Sequence, residues 1–258
     1  MTMKRFEGRS VIVTGAAGAI GRAIAKRFAA EGAAVCVSDL KAEGAEAVAE
    51  EIRLMDGNAF GCGVDVTQTA DVAAMAERVL AECGKIDILV NNAGGSAGLF
   101  GRLSRFRDAG EEVWSRVLDL NLHGTLRCIR AVLNPMIERR YGRIVSIASI
   151  AAAVGILDRV DYSAAKGGIV SLTKALAMEV GGYGVTVNSV SPGAIARRPT
   201  DSIPGGTHVG RMGTPEEVAS LVAFLASEEA AFITGCDYII DGGRVLGPAR
   251  SMETTQHN

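Results

Sequence analysis

The stretch SVIVTGAAGAIGRAIAKRFAAEG, Ser10 to Gly32, decides the fold. Ser10 to Thr14 is a short run of β-branched residues, the signature of a strand buried on both faces. It breaks at Gly15 into a glycine turn, and GRAIAKRFAAEG then has helical spacing that stops at Gly32. Strand, glycine turn and helix in this order aim backbone amides and the positive end of a helix at one point. That is the setting a dinucleotide pyrophosphate needs.

Working outward, Ala33 to Ser38 predicts a second buried strand that stops on Asp39. An acidic residue there hydrogen-bonds the adenosine ribose hydroxyls and repels a 2′-phosphate, which favours NAD over NADP. Without the preceding glycine turn Asp39 would read as a solvated strand end, and Lys41 reads as a surface lysine opening the next helix. The alternation continues with a helix near 42–55, a strand near 58–64, a helix at 69–83 and a strand at 86–90. Short apolar strands joined by long helices predict right-handed βαβ units. Polar residues at two strand ends, Asp65-Val66 and Asn91 to Gly94, fall where an open parallel sheet has its binding crevice.

Residues 95–111 read as a loop, followed by one long helix over 112–138 that carries Trp114, Asn121 and His123. A strand over 143–148 runs into Ser149. Then come a helix beginning near Tyr162, a strand over 185–190, a Gly/Pro-interrupted segment, a helix with a capping pattern at Thr214-Pro215, and a last strand over 237–240.

The chain has 258 residues, 48% of them apolar and only 5% aromatic, with 32 glycines. This suits one α/β domain over residues 1–248 with a core of small aliphatic side chains, and a polar tail at 249–258. A net charge of −2 provides no basic field to attract nucleic acid or an anionic membrane, so a small-molecule partner is expected. Cys36, Cys62, Cys83, Cys128 and Cys236 are scattered with no C-x-x-C pair, which predicts neither a disulfide framework nor a metal site, and buried apolar thiols instead. A polar N-terminus and the lack of a long apolar stretch predict a cytoplasmic protein.

The chemistry concentrates at Tyr162 and Lys166, four apart on the same helical face. On spacing alone such a pair is usually solvated surface. An ammonium at about 4 Å, with an effective dielectric of about 20, contributes roughly 4 kcal/mol to a phenolate. That is about three pKa units, enough to bring the phenol towards neutrality and let it exchange a proton with an alcohol or ketone.

Together TGAAGAIG (14–21), Asp39, Asp65-Val66, NNAG (91–94), Asn121, Ser149, YSAAK (162–166) and SPG (191–193) make the chain resemble the short-chain dehydrogenases/reductases over about residues 4–247. The resemblance implies a Rossmann-type doubly wound sheet of seven parallel strands in the order 3-2-1-4-5-6-7, and a homotetramer. It implies that Tyr162 is the general acid/base and that Ser149 hydrogen-bonds the substrate oxygen. Lys166 would hold the nicotinamide ribose and acidify Tyr162, and Asn121 would anchor a relay water. By the same resemblance the cofactor would meet Gly15, Gly18, Ala19 and Ile20 at its pyrophosphate, Asp65 and Val66 at its adenine, and Asn92, Ala93 and Gly94 at its adenosine ribose. Pro192, Gly193 and Ile195 would lie at its nicotinamide.

Ala19 stands where the family's TGxxxGxG pattern has its middle glycine. The glycine one place earlier, Gly18, is expected to restore the backbone freedom. The segment over 194–212 predicts a short lid. Arg197, with Arg198 beside it, and Arg159 are candidate anchors for a carboxylate or sulfonate, with Arg102, Arg105 and Arg107 in the loop opposite. Solvated lid arginines are the alternative. The predicted activity is NAD(H)-dependent hydride transfer to and from a secondary alcohol or ketone, anionic or cyclic. The rivals are an NADP-dependent 3-oxoacyl-type reductase and a non-catalytic nucleotide-binding scaffold.

Overall fold

The strands alternate their side chains between two helical layers, and that alternation sets the architecture. Along β1 (Ser10–Thr14), Val11 and Val13 join one core cluster while Ile12 joins the other. The same division runs through β2 (Ala34–Asp39) and β4 (Ile88–Asn91), where Val35, Val37, Ile88 and Val90 face one way and Cys36 and Leu89 the other. The computed structural model describes residues 4–96, 98, 105–196, 201 and 206–247.

With β3 (Asn58–Gly63), β5 (Gly142–Ile147), β6 (Val185–Pro192) and β7 (Asp237–Ile240), the strands form one seven-stranded sheet in the order β3-β2-β1-β4-β5-β6-β7. Every neighbouring pair is parallel. This is the doubly wound arrangement, with the reversal of strand order beside β1 opening a crevice at the carboxyl edge. Helices α1 (Ala19–Ala30), α2 (Ala42–Arg53) and α8 (Pro215–Leu225) cover one face through Ile24, Phe28, Val48, Ile52, Val218 and Val222. Helices α3 (Thr69–Cys83), α5 (Gly124–Glu138) and α7 (Val160–Val180) cover the other through residues such as Met75, Val132 and Val180.

The helix expected over 112–138 is not continuous. It comprises α4 (Glu111–Leu118), a π-helical turn over Asp119–His123, and α5. A short helix, α6 (Ala151–Val154), precedes α7 and was not expected. At α8 the capping box is present in full: Thr214 accepts from Glu217 N, and the Glu217 side chain accepts from Thr214 N. Arg211 pairs with the same Glu217 carboxylate at 2.5 Å, holding its pKa down to about 2.

At the amino edge of the sheet Asp87 is fully buried. It accepts from Ser10 N at 3.0 Å and faces Arg139, Lys85 and Arg9 at 3.2, 3.4 and 3.6 Å.

The thiols are all free, as expected, but not all are buried, since Cys236 is exposed. Cys62 is not inert either. A hydrogen bond from the Cys36 thiol, together with the Arg78 guanidinium, draws its pKa down to about 6.

Candidate active site

A cleft of about 900 Å³ opens along the carboxyl ends of the central strands. Its floor at one end is the turn after β1. Gly15 has φ +63°, a conformation that favours glycine, and a Cβ on Gly21 would lie within 2.5 Å of Asn92 Nδ2, so α1 comes as close to the turn as its backbone allows. No side chain caps α1 and its first turn carries no acidic residue, which leaves an anion-binding helix start. Gly18 adopts ordinary extended backbone, φ −74° and ψ 159°. The compensation expected from it is therefore not used. The helix begins at Ala19 itself, which tolerates a methyl group there and lines the cleft with Gly15, Gly18 and Ile20.

The turn is laced to the end of β4. Asn92 Nδ2 donates to the carbonyls of Thr14 and Gly15 at 2.9 Å, and Thr14 Oγ1 accepts from the amides of Asn92 and Ala93 at 3.0 Å. Asp39 accepts from Ala17 N at 3.0 Å through one oxygen, and no donor among the described residues reaches its second. Asp65 and Val66 line the same part of the cleft, and Thr67 N and Oγ1 donate to Asp65 Oδ1 at 2.9 and 2.8 Å.

At the opposite end lie Ser149, Tyr162 and Lys166. Ser149 is buried just beyond β5, and its Oγ accepts from Ala151 N at 3.1 Å, which starts α6. Tyr162 is half-buried on the first turn of α7 and packs against Val113 and Val117 of α4. One turn later Lys166 is buried, with Nζ donating to Ile147 O at 2.8 Å and lying 5.6 Å from the centre of the Tyr162 ring. Burial without a carboxylate partner pushes its pKa down to about 7. The lysine thus holds its charge at neutral pH only in part, where the spacing alone suggested a permanent ammonium.

Asn121 does not line the cleft but stands behind it, fully buried in the π turn. Its Nδ2 donates to the carbonyls of Gly95 and Val117, both at 2.8 Å, and its Oδ1 accepts from Gly95 N at 3.0 Å. Among the described residues all of its amide contacts are to backbone, so the side chain braces the loop after β4. A Cβ on Gly94 would lie 2.5 Å from Asn121 Oδ1 and 3.3 Å from Lys166 Nζ, so only glycine fits between them.

Pro192, Gly193 and Ile195 line the cleft, and so does Arg159, the residue before α7. Arg197, Arg198 and Arg102 lie outside the described residues. Arg107 is exposed and pairs with Asp108, and neither it nor Arg105 lines the cleft. His123 is exposed and faces Asp119 at 3.2 Å. Arg244, which the sequence reading passed over, does line the cleft and donates to Gly206 O at 3.0 Å. Its position just after the Asp-Gly-Gly turn that follows β7 was the available signal.

A family model described as enoyl-(acyl carrier protein) reductase matches residues 15–244. The chain is 38% identical over 249 residues to the 3-oxoacyl-[acyl-carrier-protein] reductase of Escherichia coli, covering 93% of this chain and 99% of that one. It belongs to the short-chain dehydrogenase/reductase family. Within that family it is 41% identical to the D-threitol dehydrogenase of Mycolicibacterium smegmatis, over 94% of this chain and 95% of the relative. The crystal structure of gox2181 superposes with a TM-score of 0.88 at 32% identity, covering 95% and 98% of the two chains. Short-chain dehydrogenases/reductases are oxidoreductases that bind a nicotinamide cofactor. The donor set of this cleft fits one: an uncapped helix start for phosphates, an acceptor on Asp39 for a ribose diol, and a lysine with no carboxylate beside it. No helix among the described residues is long and apolar enough to cross a membrane.

Proposed function

We propose that this chain is an NAD(H)-dependent oxidoreductase of secondary alcohols and ketones, with Tyr162 as the general acid/base. The observation that carries the reading is the single cleft that joins the uncapped glycine turn and Asp39 at one end to Ser149, Tyr162 and Lys166 at the other. The nicotinamide, when bound, supplies or accepts the hydride.

The protein's part is positioning and proton movement. Ser149 Oγ hydrogen-bonds the substrate oxygen and fixes it beside the phenol. Tyr162 takes the hydroxyl proton during oxidation and returns it during reduction. Lys166, whose charge burial disfavours, stabilises an anionic phenol beside it when it carries its proton. Gly94, next to the Gly95 backbone that the Asn121 side chain holds, leaves room beside Lys166 for a ribose. A relay water anchored at Asn121 would have to use its backbone carbonyl, which Thr125 Oγ1 already approaches at 2.8 Å, because the side-chain amide is committed to Gly95 and Val117. Tyr162→Phe is expected to lower kcat by at least about 10² while leaving NADH affinity unchanged. Turnover that survives this substitution on a true substrate would remove the role from Tyr162, whereas a wild type that binds NADH and turns over no alcohol or ketone would favour a non-catalytic nucleotide-binding protein.

Asp39 supports NAD over NADP, since its carboxylate would face a 2′-phosphate. The rival, an NADP-dependent 3-oxoacyl-type reductase, has the E. coli relative in its favour. The ratio of kcat/KM with NADH to that with NADPH separates the two, and a ratio below one decides for the rival. Assembly as a homotetramer is read from the mass in light scattering.

A further inference from the structure

The cleft is electrically polarised. Its carboxylates, Asp39 and Asp65, lie at the turn and β3 end, whereas its cations, Arg159, Lys166 and Arg244, belong to the segments around Tyr162 and after β7. Arg159 and Arg244 are both half-buried, and among the described residues no carboxylate pairs with either. Half-buried guanidiniums without a counterion are costly to the empty protein and become favourable when an anion arrives. Around Arg159 the rim is apolar: Val154, Leu157 and Val160 are all exposed.

We infer that Arg159 and Arg244 together bind an anionic group on the substrate, which makes the natural substrate a hydroxy or oxo acid with an apolar portion rather than a neutral polyol. A planar guanidinium fork matches a carboxylate in two hydrogen bonds, while the exposed aliphatic residues beside Arg159 cover the carbon chain. The carboxylate oxygens accept from the guanidinium N–H groups, and the carbinol at the other end reaches Ser149 and Tyr162. Arg244 keeps its bond to Gly206 O and thereby ties the anion to the segment over 206–213. This assignment rests on the oxidoreductase reading of the same cleft.

The test compares matched pairs on the NADH-loaded and NAD-supplied protein: 3-hydroxybutyrate against its methyl ester, and threonate against threitol. Binding is read from NADH fluorescence and melting temperature, and turnover from NADH production. The wild type is expected to bind the acids about tenfold to a hundredfold more tightly than their neutral partners. Arg159→Met and Arg244→Met should each erase most of that preference without altering NADH affinity, and Arg244→Lys should restore part of it. Equal binding of acid and neutral partner by the wild type, or preference for threitol, would overturn the inference while leaving the oxidoreductase reading intact. A loss of NADH affinity in Arg244→Met would also overturn it, because the guanidinium would then serve the cofactor's pyrophosphate. A wild type that binds NADH but oxidises no alcohol would instead count against the oxidoreductase reading.

Discussion

Replacing Lys166 by methionine should make the apoprotein more stable at acidic and neutral pH while removing its activity. The buried ammonium titrates at about 7 against 10.5 for an ordinary lysine, so the unfolded chain binds that proton more tightly than the folded one. The folding penalty is therefore full below pH 7, shrinks as pH rises, and vanishes above 10.5. At about 1.4 kcal/mol per pKa unit its full size is on the order of 5 kcal/mol. Methionine has nearly the same length and no charge, so it escapes the penalty, but it gives up the hydrogen bond onto Ile147 O. Leaving that carbonyl without its donor costs about 1–3 kcal/mol. The variant should accordingly be about 2–4 kcal/mol more stable at pH 6, and the advantage should cross zero near about pH 9. Urea unfolding of both proteins from pH 6 to 10 measures this. Parallel stability curves would show that burial does not disfavour the charge and would refute the reasoning. In the same samples kcat should fall by at least about 10².

Gly94→Ala should displace the Asn121 amide, lower stability by about 1–3 kcal/mol and weaken NADH binding, as read by unfolding and fluorescence titration. A wild-type melting temperature would mean the loop yields at no cost. Asp87→Asn leaves three cations around a neutral buried group and should cost about 3–5 kcal/mol in urea unfolding with NADH affinity unchanged. Thr214→Ala removes half of the capping box of α8 and should cost about 0.5–2 kcal/mol with no change in KM for either substrate.

The glycine turn was legible because its spacing has one physical use, and β1, α1 and the end of β2 fall where that reading put them. The order of the strands was reached through resemblance, since periodicity identifies strands without ordering them. Element ends slipped where tertiary contacts set them. β4 begins at Ile88 and not Ile86, where the buried Asp87 turns to Ser10 and the surrounding cations. The burial of Lys166, which lowers its pKa, was not legible because a sequence carries spacing but not solvation. Arg244 was missed for a related reason, since its cleft position depends on the turn after β7, well beyond the lid that drew attention to Arg197.

The π turn also left a trace that spacing could have disclosed. Val113, Val117, Asn121 and Thr125 are buried and fall four apart, and after one step of three Cys128, Val132 and Met136 resume that spacing. In a regular α-helix a spacing of four drifts by about 40° at each step. The wider turn at Asp119–His123 takes up that drift like a clutch between two shafts, so one stripe can grip Tyr162 upstream and the sheet downstream. Excising a single residue there would counter-rotate the two segments by about 100°. A shortened chain of this kind would have to choose between a seated phenol and a closed core.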